Sequence, residues 1–241
     1  MQEVVPPTAL PSRDEKRSYV RGMFTAIAPR YDFLNHLLSL NVDRWWRRRA
    51  VRRLRWDRVP DGTYLDSCAG TLDLAAELAR RNGFRGRVVG ADFVVPMLRL
   101  GRTKTARVMP VGADALVLPF GDQSFEGATV GFGVRNLVDL RDGLAELRRV
   151  LKPGGRAVIL EFTTPTAWPI RPLYLFYFRH LLPLIGKIVS KHRDAYSYLP
   201  NSVLSFPEPS DLAGLMRDVG FGAVGYECLT FGIVAVHWGE A

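Results

Sequence analysis

One short turn constrains this chain more than any other feature. Asp66-Ser67-Cys68-Ala69-Gly70-Thr71-Leu72-Asp73 follows the apolar stub Tyr64-Leu65, and nineteen residues beyond Asp73 a second acid ends the run Val88-Val89-Gly90-Ala91-Asp92. A strand, a small-residue turn, a helix and an acid closing a second strand is how an open α/β sheet holds an adenosine-type ligand. The turn admits the ligand to the backbone, and the acid accepts hydrogen bonds from ribose hydroxyls. A third acid stands in Gly112-Ala113-Asp114-Ala115, ahead of Leu118-Pro119-Phe120, where it suits an adenine amino group. A single such corner occurs in many strand–turn–helix junctions, but three acidic strand ends in order on one sheet edge seldom arise by accident.

The periodicity around this turn predicts an α/β fold with a doubly wound, mostly parallel seven-stranded sheet. Strands are expected at Thr63–Asp66, Val88–Asp92, Pro110–Gly112, Phe125–Gly131 and Arg156–Phe162, separated by helices at Leu72–Asn82, Val95–Thr105 and Leu140–Leu151. Such alternation with short connections means parallel strands joined by crossovers. A helix at Pro209–Val219 precedes an edge hairpin of Ala223–Thr230 and Ile233–Trp238, turned at Phe231-Gly232. Upstream, residues 1–18 read as an arm. Residues 19–58 read as a helical segment, with a helix over Asp43–Leu54 and a lid at 19–40. Residues 59–241 form the main domain, with an inserted helical cover at about 165–205. The aromatic run at 173–178 is interrupted well short of a membrane span.

Composition bounds the chemistry. Two distant cysteines, Cys68 and Cys228, make no disulfide framework and fit a reducing compartment. The four histidines show no metal-ligand spacing, so no metal is expected. A net charge of +9 asks for an anionic partner. The cations concentrate in Arg44-Trp45-Trp46-Arg47-Arg48-Arg49 and on through Arg58, which reads as a solvated helix face, an interfacial helix on anionic lipid, or a nucleic-acid patch.

Further motifs carry a family resemblance. They are Met23-Phe24-x-x-Ile27-Ala28-x-Arg30-Tyr31-Asp32-x-x-Asn35, Asp66-x-x-x-Gly70-Thr71-x-Asp73 and Phe132-Gly133-Val134-Arg135-Asn136. Arg149-Val150-Leu151-Lys152-Pro153-Gly154-Gly155, Leu160-Glu161-Phe162 and Tyr196-x-Tyr198-Leu199-Pro200 complete the set. From about residue 18 to residue 239 the chain resembles the ubiquinone/menaquinone biosynthesis C-methyltransferases, which use S-adenosyl-L-methionine (SAM). The resemblance implies that Thr71, Asp92, Asp114, Ala115 and Gly131 bind SAM; Asp66 and Gly70 join them on physical grounds. It implies a lipophilic quinol substrate, demethylmenaquinol or a ubiquinone-pathway benzoquinol, methylated on a ring carbon. A cytoplasmic protein in transient contact with the anionic inner face of the membrane follows, with nucleic acid set aside and a homodimer left open. Leu72 departs from the family's Gly or Ala, and must point away from SAM or reshape its pocket.

A ring carbon attacks only when a neighbouring hydroxyl, with a pKa of about 10, loses its proton. Arg135, a donor only, is expected to stabilise the phenolate, and Asn136 to orient a water. Tyr31, Asp32 and Phe132 are expected at the substrate or lid, and Tyr31, Asp32, His180 and His192 are the candidate bases. The rivals are a nucleic-acid methyltransferase, for which the chain lacks an Asn/Asp-Pro-Pro-aromatic motif and a Pro-Cys pair, and a non-catalytic scaffold.

Overall fold

Neighbouring residues along each central strand are buried on opposite sides of the sheet. Tyr64, Val88, Val158 and Leu160 enter one apolar core, whereas Leu65, Val89 and Ile159 enter another. A strand whose successive side chains are both buried must be covered on both faces, which is the condition of a parallel sheet between helical layers.

The computed structural model describes residues 11–177 and 193–241. Its strands are β1 (Thr63–Ser67), β2 (Arg87–Asp92), β3 (Val108–Gly112), β4 (Phe125–Gly131), β5 (Leu151–Phe162), β6 (Gly222–Leu229) and β7 (Val234–Glu240). They form one seven-stranded sheet in the order β3-β2-β1-β4-β5-β7-β6. All pairs from β3 to β5 are parallel, and β7 runs antiparallel to β5 and β6. The expected doubly wound sheet and terminal edge hairpin are both present. Strand order reverses between β1 and β4, and the crevice beyond the carboxyl ends of the strands opens there.

Helices α1 (Arg13–Ile27), α2 (Tyr31–Leu38) and α3 (Asp43–Arg53) precede the sheet. α4 (Asp73–Ala79), α5 (Val95–Gly101) and α6 (Leu140–Arg149) connect its strands. α7 (Ile170–Phe176), α8 (Arg193–Leu204) and α9 (Pro209–Asp218) follow β5. α1 starts six residues ahead of the expected boundary. Ser12 and Glu15 close a capping box, Ser12 Oγ donating to Glu15 at 2.7 Å, and this satisfies helix-end donors that Pro-rich flanking composition had obscured.

The basic helix α3 is tied inward. Trp46 is buried and donates from Nε1 to Thr230 Oγ1 at 2.7 Å. Arg47 is buried in ion pairs with Asp43 and Asp73. Arg49 and Arg53 both grip Glu227, whose carboxyl is held down at about 2 chiefly by the Arg53 hydrogen bonds. One face of the arginine run is thus structural glue to β6, and only Arg44, Trp45, Arg48 and Arg52 of this helix stand exposed.

Candidate active site

Three left-handed residues shape the β1–α4 turn: Cys68 at φ +52°, Gly70 at +51° and Leu72 at +63°. Leu72 bears the steric cost that this region imposes on a side chain, and it does so while fully buried in the core, away from the cleft. The turn is fastened to β2: Ala69 N–H donates to the Ala91 carbonyl at 3.0 Å, and Gly70 N–H donates to Asp92 Oδ2 at 2.8 Å. Asp92 also accepts from Val94 N–H at 2.7 Å, and burial pushes its carboxyl up despite these bonds.

Asp92 and Asp114 lie at the ends of adjacent strands and line one cleft with Gly70, Ala115 and Gly131. Phe93, Val94, Met97 and Leu116 supply apolar walls. This suits a nucleoside: two carboxylates for its hydroxyl and amino donors, apolar faces for its base. A methyl on Gly70 would stand 3.7 Å from Met97 Cε and fill part of the cradle. The residues present therefore fit SAM. Cys68 also lines the cleft, its thiol pushed up by burial, which makes it a poor nucleophile.

Two residues assigned to SAM stand behind the turn instead. Asp66 accepts from Thr129 Oγ1 at 2.7 Å and from Ala75 N–H at 3.0 Å, so it braces β1, β4 and the start of α4. Burial raises its carboxyl to about 7. Thr71 is buried, donating to Asp32 at 2.5 Å and accepting from Lys104 Nζ at 2.9 Å. Lys104 pairs in turn with Asp32 at 2.7 Å and with Asp73 at 2.5 Å. These groups hold the turn from below; Asp32 lines neither this cleft nor the cavity beside it.

That second cavity, of about 570 Å³, lies between α1–α3 and α7–α8. Its walls are almost entirely apolar and aromatic, including Leu34, Leu38, Trp46, Phe162, Tyr174 and Ile233. Phe24, Tyr31 and Phe132 line both spaces and so mark where they meet. Phe132 is held there at φ +57°, its ring 4.6 Å from that of Phe162 and its N–H on the Leu160 carbonyl.

Polar groups flank this junction. Arg135, on the cavity side, pairs with Glu161 Oε1 and donates to the Phe132 carbonyl, each at 2.6 Å. Its Nε is buried with no hydrogen-bond partner. Glu161 is 1% exposed, and burial raises its carboxyl although Arg135 pulls it down. Asn136, on the cleft side, accepts from the Tyr198 hydroxyl at 3.1 Å. Sequence reading alone does not single out Glu161 or Tyr198 for the site; the signal for Glu161 is its place at the carboxyl end of β5. Among the candidate bases, Tyr31 reaches the junction, where burial pushes its hydroxyl further above the ordinary phenol range, Asp32 is committed to Lys104 and Thr71, and His180 and His192 lie outside the described residues. Among the described residues there is no group of three or more His, Cys, Asp or Glu able to hold a metal, and no helix long and apolar enough to cross a membrane.

α1 closes the cleft from above. Arg13 pairs with Asp139 at 2.6 Å and Arg17 with Asp114 at 2.8 Å. Lys16 donates to the carbonyls of Arg135 at 3.1 Å and Leu137 at 2.6 Å.

Known proteins resemble this chain in fold and in sequence. A SAM-dependent methyltransferase from Thermotoga maritima superposes with a TM-score of 0.64 at 18% identity, over 90% of this chain and 99% of that one, which shows the fold. A ubiquinone/menaquinone biosynthesis C-methyltransferase UbiE from Geobacter sulfurreducens is 47% identical over 232 residues, 94% of this chain and 90% of that protein. A demethylmenaquinone methyltransferase from Thermus thermophilus is 48% identical over 222 residues, 90% of this chain and 99% of that protein. The ubiE/COQ5 methyltransferase family model matches residues 12–241. With its cofactor cleft, its second cavity and nearly its whole length accounted for, the chain belongs to the ubiE/COQ5 methyltransferase family and uses SAM as its cofactor.

Proposed function

We propose that the protein methylates a ring carbon of a polyprenyl quinol, with demethylmenaquinol as substrate and menaquinol as product. The observation that carries this reading is the meeting of a nucleoside-type cleft and a large apolar cavity at Phe24, Tyr31 and Phe132. Nothing so apolar would serve a nucleic-acid base with its phosphates. The demethylmenaquinone methyltransferases of Thermus thermophilus and Deinococcus radiodurans, 48% and 46% identical, favour the naphthoquinol.

Gly70, Asp92, Asp114 and Ala115 would hold SAM, which when bound supplies an electrophilic methyl group. The quinol ring would lie against Phe132, with its tail in the apolar cavity. Arg135 lines the cavity beside the ring, and its charge stabilises the phenolate left when a ring hydroxyl loses its proton. Glu161 keeps the guanidinium in place. Asn136, oriented by Tyr198, positions the water that takes the proton. The aromatic walls exclude bulk water and align the reactants. The protein would work at the cytoplasmic face of the membrane, because a polyprenyl tail partitions into the bilayer.

The test is methyl transfer from labelled SAM to demethylmenaquinol in liposomes under reducing conditions, with a demethylated benzoquinol and bulk RNA as parallel acceptors. Label in the naphthoquinol supports the proposal. Label only in the benzoquinol moves the substrate, and label only in RNA overturns the reading.

A further inference from the structure

The apolar cavity opens through a patch of exposed apolar side chains. Leu40, 81% exposed, and Leu173, 67% exposed, are also lining residues of the cavity, so they mark its mouth. On α2, Leu34 and Leu38 face the cavity while Phe33 and Leu37, one position further round, face solvent. The Tyr177 hydroxyl donates to the Leu38 carbonyl at 3.1 Å, which brings the end of α7 against the end of α2. The two helices therefore frame a single opening. Contiguous exposed apolar surface of this kind marks a binding face.

Among the described residues, the arginines left without an ion pair around the patch present one sign of charge. Arg44 and Arg48 lie one turn apart on the exposed side of α3 beside the half-exposed Trp45. Four residues from Leu40, the Arg44 backbone is within about 14 Å of it. Arg171, two residues from Leu173, is exposed as well. None of these three arginines forms an ion pair among the described residues. The acids of the same stretch, Asp32 and Asp43, are engaged by Lys104 and by Arg47.

We infer that the face bearing Phe33, Leu37, Leu40 and Leu173 docks on an anionic bilayer. Its apolar side chains enter the headgroup boundary, and Arg44, Arg48 and Arg171 sit on lipid phosphates. This deepens the reading of the substrate as a polyprenyl quinol and rests on it. Docking sets the cavity mouth at the lipid, so the tail passes from bilayer to cavity without crossing water. A second copy of the chain on this face would seal that mouth and bring like charges together. The contact differs from an interfacial α3 helix: α3 lends only its exposed fringe, and α2 and α7 supply the insertion.

Full-length protein is sedimented with vesicles of phosphatidylcholine alone or with phosphatidylglycerol. Phe33→Asp/Leu37→Asp, on positions outside the cavity wall, should keep the fold by circular dichroism and weaken binding to anionic vesicles at least about 30-fold. Arg44→Gln/Arg48→Gln should weaken it about 30-fold and cut most of the preference for anionic lipid, leaving only the share of Arg171. Wild-type binding by both variants overturns the inference. So does a wild-type dimer in analytical ultracentrifugation that Phe33→Asp/Leu37→Asp converts to monomer. Methylation of a short-tailed, water-soluble quinol separates the two readings. Retained turnover on it with lost turnover on vesicle-borne quinol supports docking, whereas a wild-type protein that binds vesicles yet methylates neither quinol leaves docking standing and removes the substrate.

Discussion

Leu72 occupies space that two glycines vacate, and its removal has calculable consequences. The side chain is fully buried, and truncating such a leucine to alanine costs about 3–5 kcal/mol. A methyl on Gly90 would stand 2.3 Å from Leu72 Cδ2, with Val108 and Ala69 at 3.4 and 3.5 Å. Gly90→Ala alone should therefore cost roughly 1–3 kcal/mol through overpacking. Its one severe contact is with the side chain that Leu72→Ala deletes. The double variant should then be more stable than the sum of the singles by about 1–3 kcal/mol. Gly101→Ala is the control: its methyl would meet the Thr71 carbonyl carbon and oxygen at 2.6 Å as well as Leu72 Cγ at 2.7 Å. Deleting Leu72 leaves that backbone clash in place, so coupling in this second cycle should be much smaller. Urea unfolding of the five variants reads both cycles. Calorimetry should find the SAM affinity of Leu72→Ala within about threefold of wild type, because the side chain does not line the cleft. Additive energies in the Gly90 cycle, equal coupling in both, or a large change in SAM affinity would refute this reasoning.

Four further outcomes are expected. Asp92→Ala should weaken SAM binding on the order of 100-fold or more, since hydrogen bonds to a carboxylate contribute about 1.5–3 kcal/mol each; unchanged calorimetric affinity removes Asp92 from the cofactor site. Arg135→Lys should leave SAM binding intact and lower turnover about 100-fold, whereas Arg135→Ala should also lose about 3–5 kcal/mol of stability by leaving Glu161 buried and unpaired; full turnover in the lysine variant excludes Arg135 from the chemistry. His237 is buried, its Nδ1 lacks a partner, and burial lowers its pKa from 6.5 to about 4. The unfolded chain takes up the proton first on acidification, so wild type should lose roughly 3 kcal/mol relative to His237→Phe between pH 6.5 and 4, and parallel stability curves would contradict this. Asp66 works in the opposite direction, its contribution being lost as pH rises from 3.8 through about 7, which is why the comparison is made between variants. Arg17→Glu, by opposing Asp114, should speed SAM release several-fold in stopped-flow; an unchanged rate means α1 is no lid.

The α/β alternation, the sheet with its edge hairpin, and the acids Asp92 and Asp114 at successive strand ends were legible in the chain itself. Each is a local property: strand and helix periods repeat within a dozen residues, and in a parallel sheet an acid after a strand can only lie on the edge where ligands bind. Side-chain direction and distant pairing were not legible. Asp66 and Asp92 both end strands, yet Thr129 and Ala75 claim Asp66 while Asp92 faces the cleft. The arginine run reads from sequence as a solvated face, an interfacial helix or a nucleic-acid patch, yet Glu227, 178 positions from Arg49 and 174 from Arg53, takes one face of it, and Thr230 takes Trp46. The apolar cavity draws its walls from α1, α2, α3, α7 and α8, and none of these segments forms a pocket alone. Local sequence decides which elements form and which ends carry acids; packing between residues far apart in the chain decides which side chains those elements turn toward the reaction.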